Sequence, residues 1–253
     1  MITTHPKPFS TLLSLAIAGA VFTVAATPAQ AVARFSQKEL YFELNNTDED
    51  LGIHSSIDGG AYTELEIYNP DLDTIFRLTA SKRLARQGLT QLFWESAEPS
   101  FDELAPAKFF KRFPEGRYRI KADAIDGNDL KGSVMLSHVM AAPASNVTVA
   151  GQPAAANCDA PNLPMVSAPV VIEWDPVVTS HPSVGKAGPV SISRYQFFVE
   201  QGSVKLAVDL LPTTTSFQVP AEILETGGQF KFEIIARTST GNNTAIENCF
   251  ILQ

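Results

Sequence analysis

The sequence has little of what most chemistry needs. Of its 253 residues only two are cysteine and four are histidine. It contains no His-Glu-x-x-His to hold a catalytic zinc and no Gly-x-Ser-x-Gly to place a serine nucleophile on a tight turn. No glycine-rich loop follows a strand and opens a helix to cradle phosphate. Cations are outnumbered, 19 Lys and Arg against 27 Asp and Glu, for a formal charge of −8. A chain this acidic lacks the electrostatic footprint for nucleic acid or anionic lipid, so neither is expected as a partner. Past the N-terminal segment no apolar run is long enough to span a bilayer, and no membrane insertion of the mature chain is expected.

What is present begins with an address. Lys7 gives a positive start, "STLLSLAIAGAVFTVAA" an apolar stretch, and Ala29-Gln30-Ala31 a small-x-small end. That order is a secretory signal over residues 1–31, with cleavage expected after Ala31. Its removal leaves 18 cations against 27 acids, a charge of −9, on a chain expected to be secreted or periplasmic. In an oxidising compartment Cys158 and Cys249 are expected to pair. A loop closed across 91 positions is worth about 4.5 kcal/mol in the chain-entropy treatment.

From Phe35 onward short alternating segments are separated by Gly, Pro, Asn or Asp. "ELYFELN", "LGIHSSIDGG", "YTELEIYNP", "TIFRLTA", "LTQLFWES", "GRYRIKADAIDG" and "LKGSVMLSHVM" read as seven strands, the second ending in an Asp58-Gly59-Gly60 turn. One helix interrupts them in "PSFDELAPAKFFKRFPEG". Ser100 is placed as N-cap, Asp102 and Glu103 lie in the first turn, and Pro106 kinks or shortens it. The reading is a β-sandwich with a helical crossover over residues 33–142. Residues 143–160, rich in Ala, Pro, Asn and Ser, read as an extended linker into a second module at 161–253. The fold class expected is all-β, two sandwich modules in tandem with one short helix in the first.

The second module carries a recognisable set of residues: Trp174 followed by Pro176, Tyr195 on the next long strand, and Leu224 six residues before alternating Phe230, Phe232 and Ile234. This combination resembles a fibronectin type III domain, which implies an immunoglobulin-like sandwich. Phe230 departs from the pattern, because it lacks the hydroxyl of the tyrosine corner. The first module, through "NNTDEDLGIHSSIDGG", "RQGLTQLFWESAEPSFDEL" and "RFPEGRYRIKADAIDG", resembles a module found beside fibronectin type III domains in exported bacterial proteins without an assigned activity. That resemblance implies no catalytic residues.

Few residues stand out as sites. Asn46, Asp48 and Asp50 keep the one-three-five spacing of an EF-hand, but Leu51 stands where glycine is required and Ile57 where a bidentate glutamate is required. A polar turn is the expectation, with Asp48 and Asp50 kept as calcium candidates. Trp94 beside Phe93 is a candidate platform for a sugar ring. Glu64 and Glu66 alternate on one strand as a solvated face does, and His54, His138 and His181 read as surface or rim residues. Asn45, Asn146 and Asn242 head Asn-x-Thr sequons that would matter only in a eukaryotic secretory route. The expected role is a non-catalytic binding, adhesion or spacer protein, whose partner is another protein or a surface polysaccharide. A carbohydrate-binding accessory module, with or without calcium, is the alternative, and a hydrolase with an unrecognised carboxylate site the third reading.

Overall fold

The computed structural model describes residues 34–225 and 227–253, so the expected signal peptide lies outside the described residues. Alternation sets the first strand: in β1 (Gln37–Asn45) Leu40, Phe42 and Leu44 are buried. Full burial of a ring such as Phe42 stabilises the fold by about 2 to 3 kcal/mol. The chain then turns into β2 (Asp50–Tyr68), with Asn45 opposite Asp50.

Asp58-Gly59-Gly60, expected to be a turn, lies inside β2, which runs unbroken for 19 residues. Neither glycine adopts a positive φ. Gly59 makes room instead, since a Cβ there would stand 3.1 Å from the Phe35 ring. The pairing register slips between Asp58 and Tyr62, and this irregularity lets one strand serve two sets of neighbours. The first half of β2 pairs with β1, the second half with β3 (Thr74–Thr79). After α1 (Lys82–Gln87), β4 (Leu89–Glu95) returns to pair with His54–Asp58 and Tyr62 of β2. Its Trp94 stacks on Phe76 of β3, with ring centroids 5.0 Å apart and planes 5° from parallel.

The expected helix is shorter than its sequence pattern. α2 (Pro106–Arg112) begins at the proline that was expected to kink it. Proline has no N–H to donate, which costs nothing in the first turn and would break a helix interior. Ser100–Leu104 instead form a separate turn, in which Ser100 N donates to Glu103 Oε2 (3.1 Å) and Leu104 N to Ser100 O (2.9 Å). Phe109, Phe110 and Phe113 pack around Phe42 with centroid distances of 5.8, 5.2 and 6.3 Å. β5 (Gly116–Ala124) then pairs with the second half of β2 and with β6 (Asp129–Leu136). Tyr118 of β5 donates its hydroxyl to Pro114 O (3.0 Å), tying the strand to the chain leaving α2.

Within 143–160, the stretch expected as extended linker, β7 (Thr148–Val149) and β8 (Gln152–Pro153) form a small hairpin and Val149 is fully buried. β9 (Met165–Val166) and β10 (Val171–Glu173) follow, then β11 (Ile192–Gln201), β12 (Val204–Leu210) and β13 (Ser216–Gln218). A one-turn helix, α3 (Ala221–Leu224), leads into β14 (Gly228–Thr238) and β15 (Asn243–Leu252). One sheet has the order β13-β10-β7-β8, and the other contains β12-β11-β14-β15. Between them lie Val149, Ile172, Trp174, Tyr195, Phe197, Phe230, Phe232 and Phe250. Two sheets enclosing one core make this part a β-sandwich. Phe230 stacks on Phe250 (5.2 Å, 10°), and the Tyr195 hydroxyl accepts from Val177 N (2.9 Å).

The two parts share a sheet. β1 pairs in parallel with β15, Glu43–Asn45 alongside Asn243–Ala245, so the path β12-β11-β14-β15-β1-β2-β5-β6 is continuous. The fold is all-β, with its helices confined to short connections. The disulfide Cys158–Cys249 fastens the chain after β8 to β15, with Cα atoms 4.9 Å apart.

Candidate functional site

The strongest concentration of buried polar groups is the seam between β1 and β15. "TGNNTAIEN", residues 240–248, looks like a polar turn carrying a sequon, yet Asn242, Asn243 and Thr244 are all buried. Asn242 Oδ1 accepts from Phe42 N (3.0 Å), and its Nδ2 donates to Ser137 O (2.7 Å) and Val139 O (3.0 Å). Asn243 Nδ2 donates to Glu43 Oε2 (2.6 Å) and Thr244 Oγ1 to Ala141 O (2.9 Å). From the other side, Thr47 Oγ1 accepts from Glu247 N (2.8 Å), and His181 Nε2 meets Asn46 Oδ1 at 2.9 Å. Arg237 is buried between Glu39 (2.9 Å) and the ring face of Tyr41, 4.4 Å from its centroid. A buried polar group without a partner costs about 1 to 3 kcal/mol, so interlocked pairs of this kind fix one relative placement of the strands. The sequon at Asn242 has no free amide to modify in the folded chain.

At the hairpin, Asn45 makes the turn. Its Oδ1 accepts from Thr47 N (3.0 Å) and Asp48 N (3.3 Å), and its Nδ2 donates to Asp48 Oδ2 (2.8 Å). Glu49 takes φ 55° to complete the reversal. Asp50 stands at the start of β2. Burial, then the charges of Glu98 and Asp48, push its carboxyl up to about 6. Among the described residues no cluster of three or more His, Cys, Asp or Glu side chains is placed to hold a metal ion. Asp48 is thus engaged in the turn itself, and Asp50 faces two other carboxylates.

Gly52 has a use the sequence did not disclose. A Cβ there would stand 2.4 Å from Glu98 Oε1, so only glycine lets that side chain lie across β2 to reach His54 Nε2 at 2.7 Å. His54 is buried, not a rim residue. Burial alone would lower its pKa, but the Glu98 hydrogen bond and the charges of Glu43, Glu98 and Glu95 outweigh it and raise the value. His181 is buried too, with its pKa lowered by desolvation. His138 Nε2 lies 2.8 Å from Phe113 O. All three histidines are joints between segments distant in sequence, which spacing along the chain could not reveal.

Trp94 is partly covered, with one ring face against Phe76, and the exposed member of the pair is Phe93 at 58%. Glu64 and Glu66 both approach Arg77, Glu66 as its closer partner, on a solvated face. The cysteines are joined, and no free thiol exists among the described residues. No helix among the described residues is long and apolar enough to cross a membrane.

No family model matches the sequence, and no curated protein matches it. Solved structures do show likeness. A two fibronectin type III domain segment from chicken tenascin aligns over 86% of this chain and 98% of its own, at 10% identity and a TM-score of 0.29. A 1.5-MDa bacterial ice-binding adhesin aligns over 86% and 65%, at 10% identity and 0.25. The human OSCAR ligand-binding domain aligns over 84% and 97%, at 10% identity and 0.25.

Proposed function

We propose that the protein is an exported, non-catalytic binding or adhesion protein, in which the fibronectin type III-like sandwich is a rigid mount for the N-terminal sheet. The observation that carries this reading is the seam. A flexible tether would need no buried Asn242, Asn243, Thr244 and Arg237, each held by a partner about 100 to 200 positions away. Such a seam preserves the orientation of surfaces at the two ends of the molecule, which is what a spacer or a presenting module requires. The partner is a protein or a surface polysaccharide. Catalysis is disfavoured because the polar groups brought together are engaged in holding strands, not directed into a cleft.

The test is binding of labelled mature protein to intact cells of the source organism, before and after treatment of those cells with protease or with polysaccharide-degrading enzymes. Protease-sensitive binding identifies a protein partner, and glycosidase-sensitive binding a polysaccharide. Absence of saturable binding, or turnover of a hydrolase substrate abolished by a carboxylate substitution, refutes the reading.

A further inference from the structure

We propose that the free edge of β4 pairs with the same edge of a second copy of this chain, forming a two-fold dimer about Phe93. β4 hydrogen-bonds β2 and no other strand among the described residues. Edge strands in soluble proteins are normally guarded by charge or proline. The other long edges here conform: Arg77 lies in β3, Lys131 in β6 and Lys205 in β12. β4 has no proline and no cation, and its one charge is Glu95 at the very end, so that "LTQLFW" from Leu89 through Trp94 is an uncharged run.

The geometry suits self-pairing. Ser96 N donates to Ile53 O, so residues 92, 94 and 96 direct their backbone groups at β2. Gln91, Phe93 and Glu95 therefore direct theirs at the open edge. An antiparallel pair centred on Phe93 places that exposed ring beside its counterpart and Gln91 opposite Glu95. Aromatic cross-strand pairs of this kind stabilise a sheet.

Charge selects the occupant. Before the strand, α1 carries Lys82, Arg83 and Arg86 with no acid; Glu95 ends the strand, and Glu98, Asp102 and Glu103 follow with no cation until Lys108. Antiparallel pairing lays the basic flank of each copy along the acidic flank of the other, twice by symmetry. A parallel pairing would oppose like charges. α1 itself has no buried residue and leaves Leu84 49% exposed, as expected of a helix whose contact lies on another molecule.

The experiment uses the mature chain. Sedimentation velocity over a wide concentration range is expected to show a monomer–dimer equilibrium that weakens with salt. Phe93→Lys, at a position 58% exposed in the single chain, is expected to weaken it by about tenfold or more. Because both native cysteines are bonded, Phe93→Cys supplies one free thiol and is expected to give a covalent dimer under mild oxidant. Val178→Cys, 72% exposed in the native chain and far from β4 in sequence, is the control expected to remain unlinked. A chain that is monomeric at every concentration, with Phe93→Cys unlinked, overturns the proposal. A dimer that survives Phe93→Lys unchanged overturns it equally.

Discussion

Replacing Asn242 by alanine removes three hydrogen bonds at once from a site only 1% exposed. Phe42 N, Ser137 O and Val139 O each lose the partner that Asn242 supplied. At about 1 to 1.5 kcal/mol for each bond, the loss is about 3 to 4.5 kcal/mol. Folding free energies of ordinary domains are about 5 to 15 kcal/mol, so the variant stands near the limit of stability. Urea unfolding of the mature chain measures this directly. With a slope of about 2 to 3 kcal/mol per molar, the midpoint falls by about 1 M or more. Asn242→Asp keeps the acceptor for Phe42 N but turns a carboxylate toward two carbonyl oxygens, and at neutral pH it costs at least as much. Asn157, exposed and with its side-chain Oδ1 accepting from Asp159 N (3.1 Å), is the comparison, and its replacement by alanine is expected to cost under about 0.5 kcal/mol. If Asn242→Ala proves no worse than Asn157→Ala, the seam does not hold the strands together and the argument for a rigid mount fails with it.

Three further outcomes are expected. Thiol titration of the native mature protein finds no reactive sulfhydryl, and replacing both Cys158 and Cys249 by serine lowers stability by about 2 to 5 kcal/mol in the same urea assay. Asp50, with its folded-state carboxyl pushed up to about 6 from a usual value near 4, binds its proton more tightly when folded than unfolded. Its contribution to stability is therefore fully present below about pH 4 and lost as pH rises through about 6. Asp50→Asn is expected to be more stable than the parent at pH 7, with the gain closing by pH 4, and equal melting curves at both pH values would contradict this. Calcium and EDTA are expected to leave the melting midpoint where it is, whereas a site filled at a hundred times its dissociation constant would add about 2.7 kcal/mol.

Much of the architecture is legible along the chain because it is local. Period-two alternation marks β1, β3, β4, β5 and β6. The spacing of Trp174, Tyr195, Leu224 and the Phe230–Ile234 run marks the second sandwich, and cysteine parity marks the disulfide. Asn45 to Asp50 reads as a turn because asparagine bonds its own backbone two and three residues on. What fails locally fails for a reason of distance. Asp58-Gly59-Gly60 has turn chemistry, but partners on both sides of β2 hold it extended, and Phe35 needs the space that Gly59 leaves. Pro106 is legible as a helix disturbance, while its place as the first helical residue depends on Ser100–Leu104 finding bonds of their own.

The functional surface divides the same way. Sequence by itself determined that the chain is acidic, that its strands alternate, and that no catalytic motif spaces its histidines, cysteines or serines for chemistry. Only the tertiary structure decided that Asn242, an apparent sequon, is a buried clamp, that Gly52 serves Glu98 and His54, and that Phe93, not Trp94, faces solvent. Each of these depends on a partner about 20 to 200 residues away. Hydrophobic periodicity records which side of a strand is buried. It carries no record of which strand lies alongside, and the pairing of β1 with β15, on which the whole molecule turns, is a choice of that second kind.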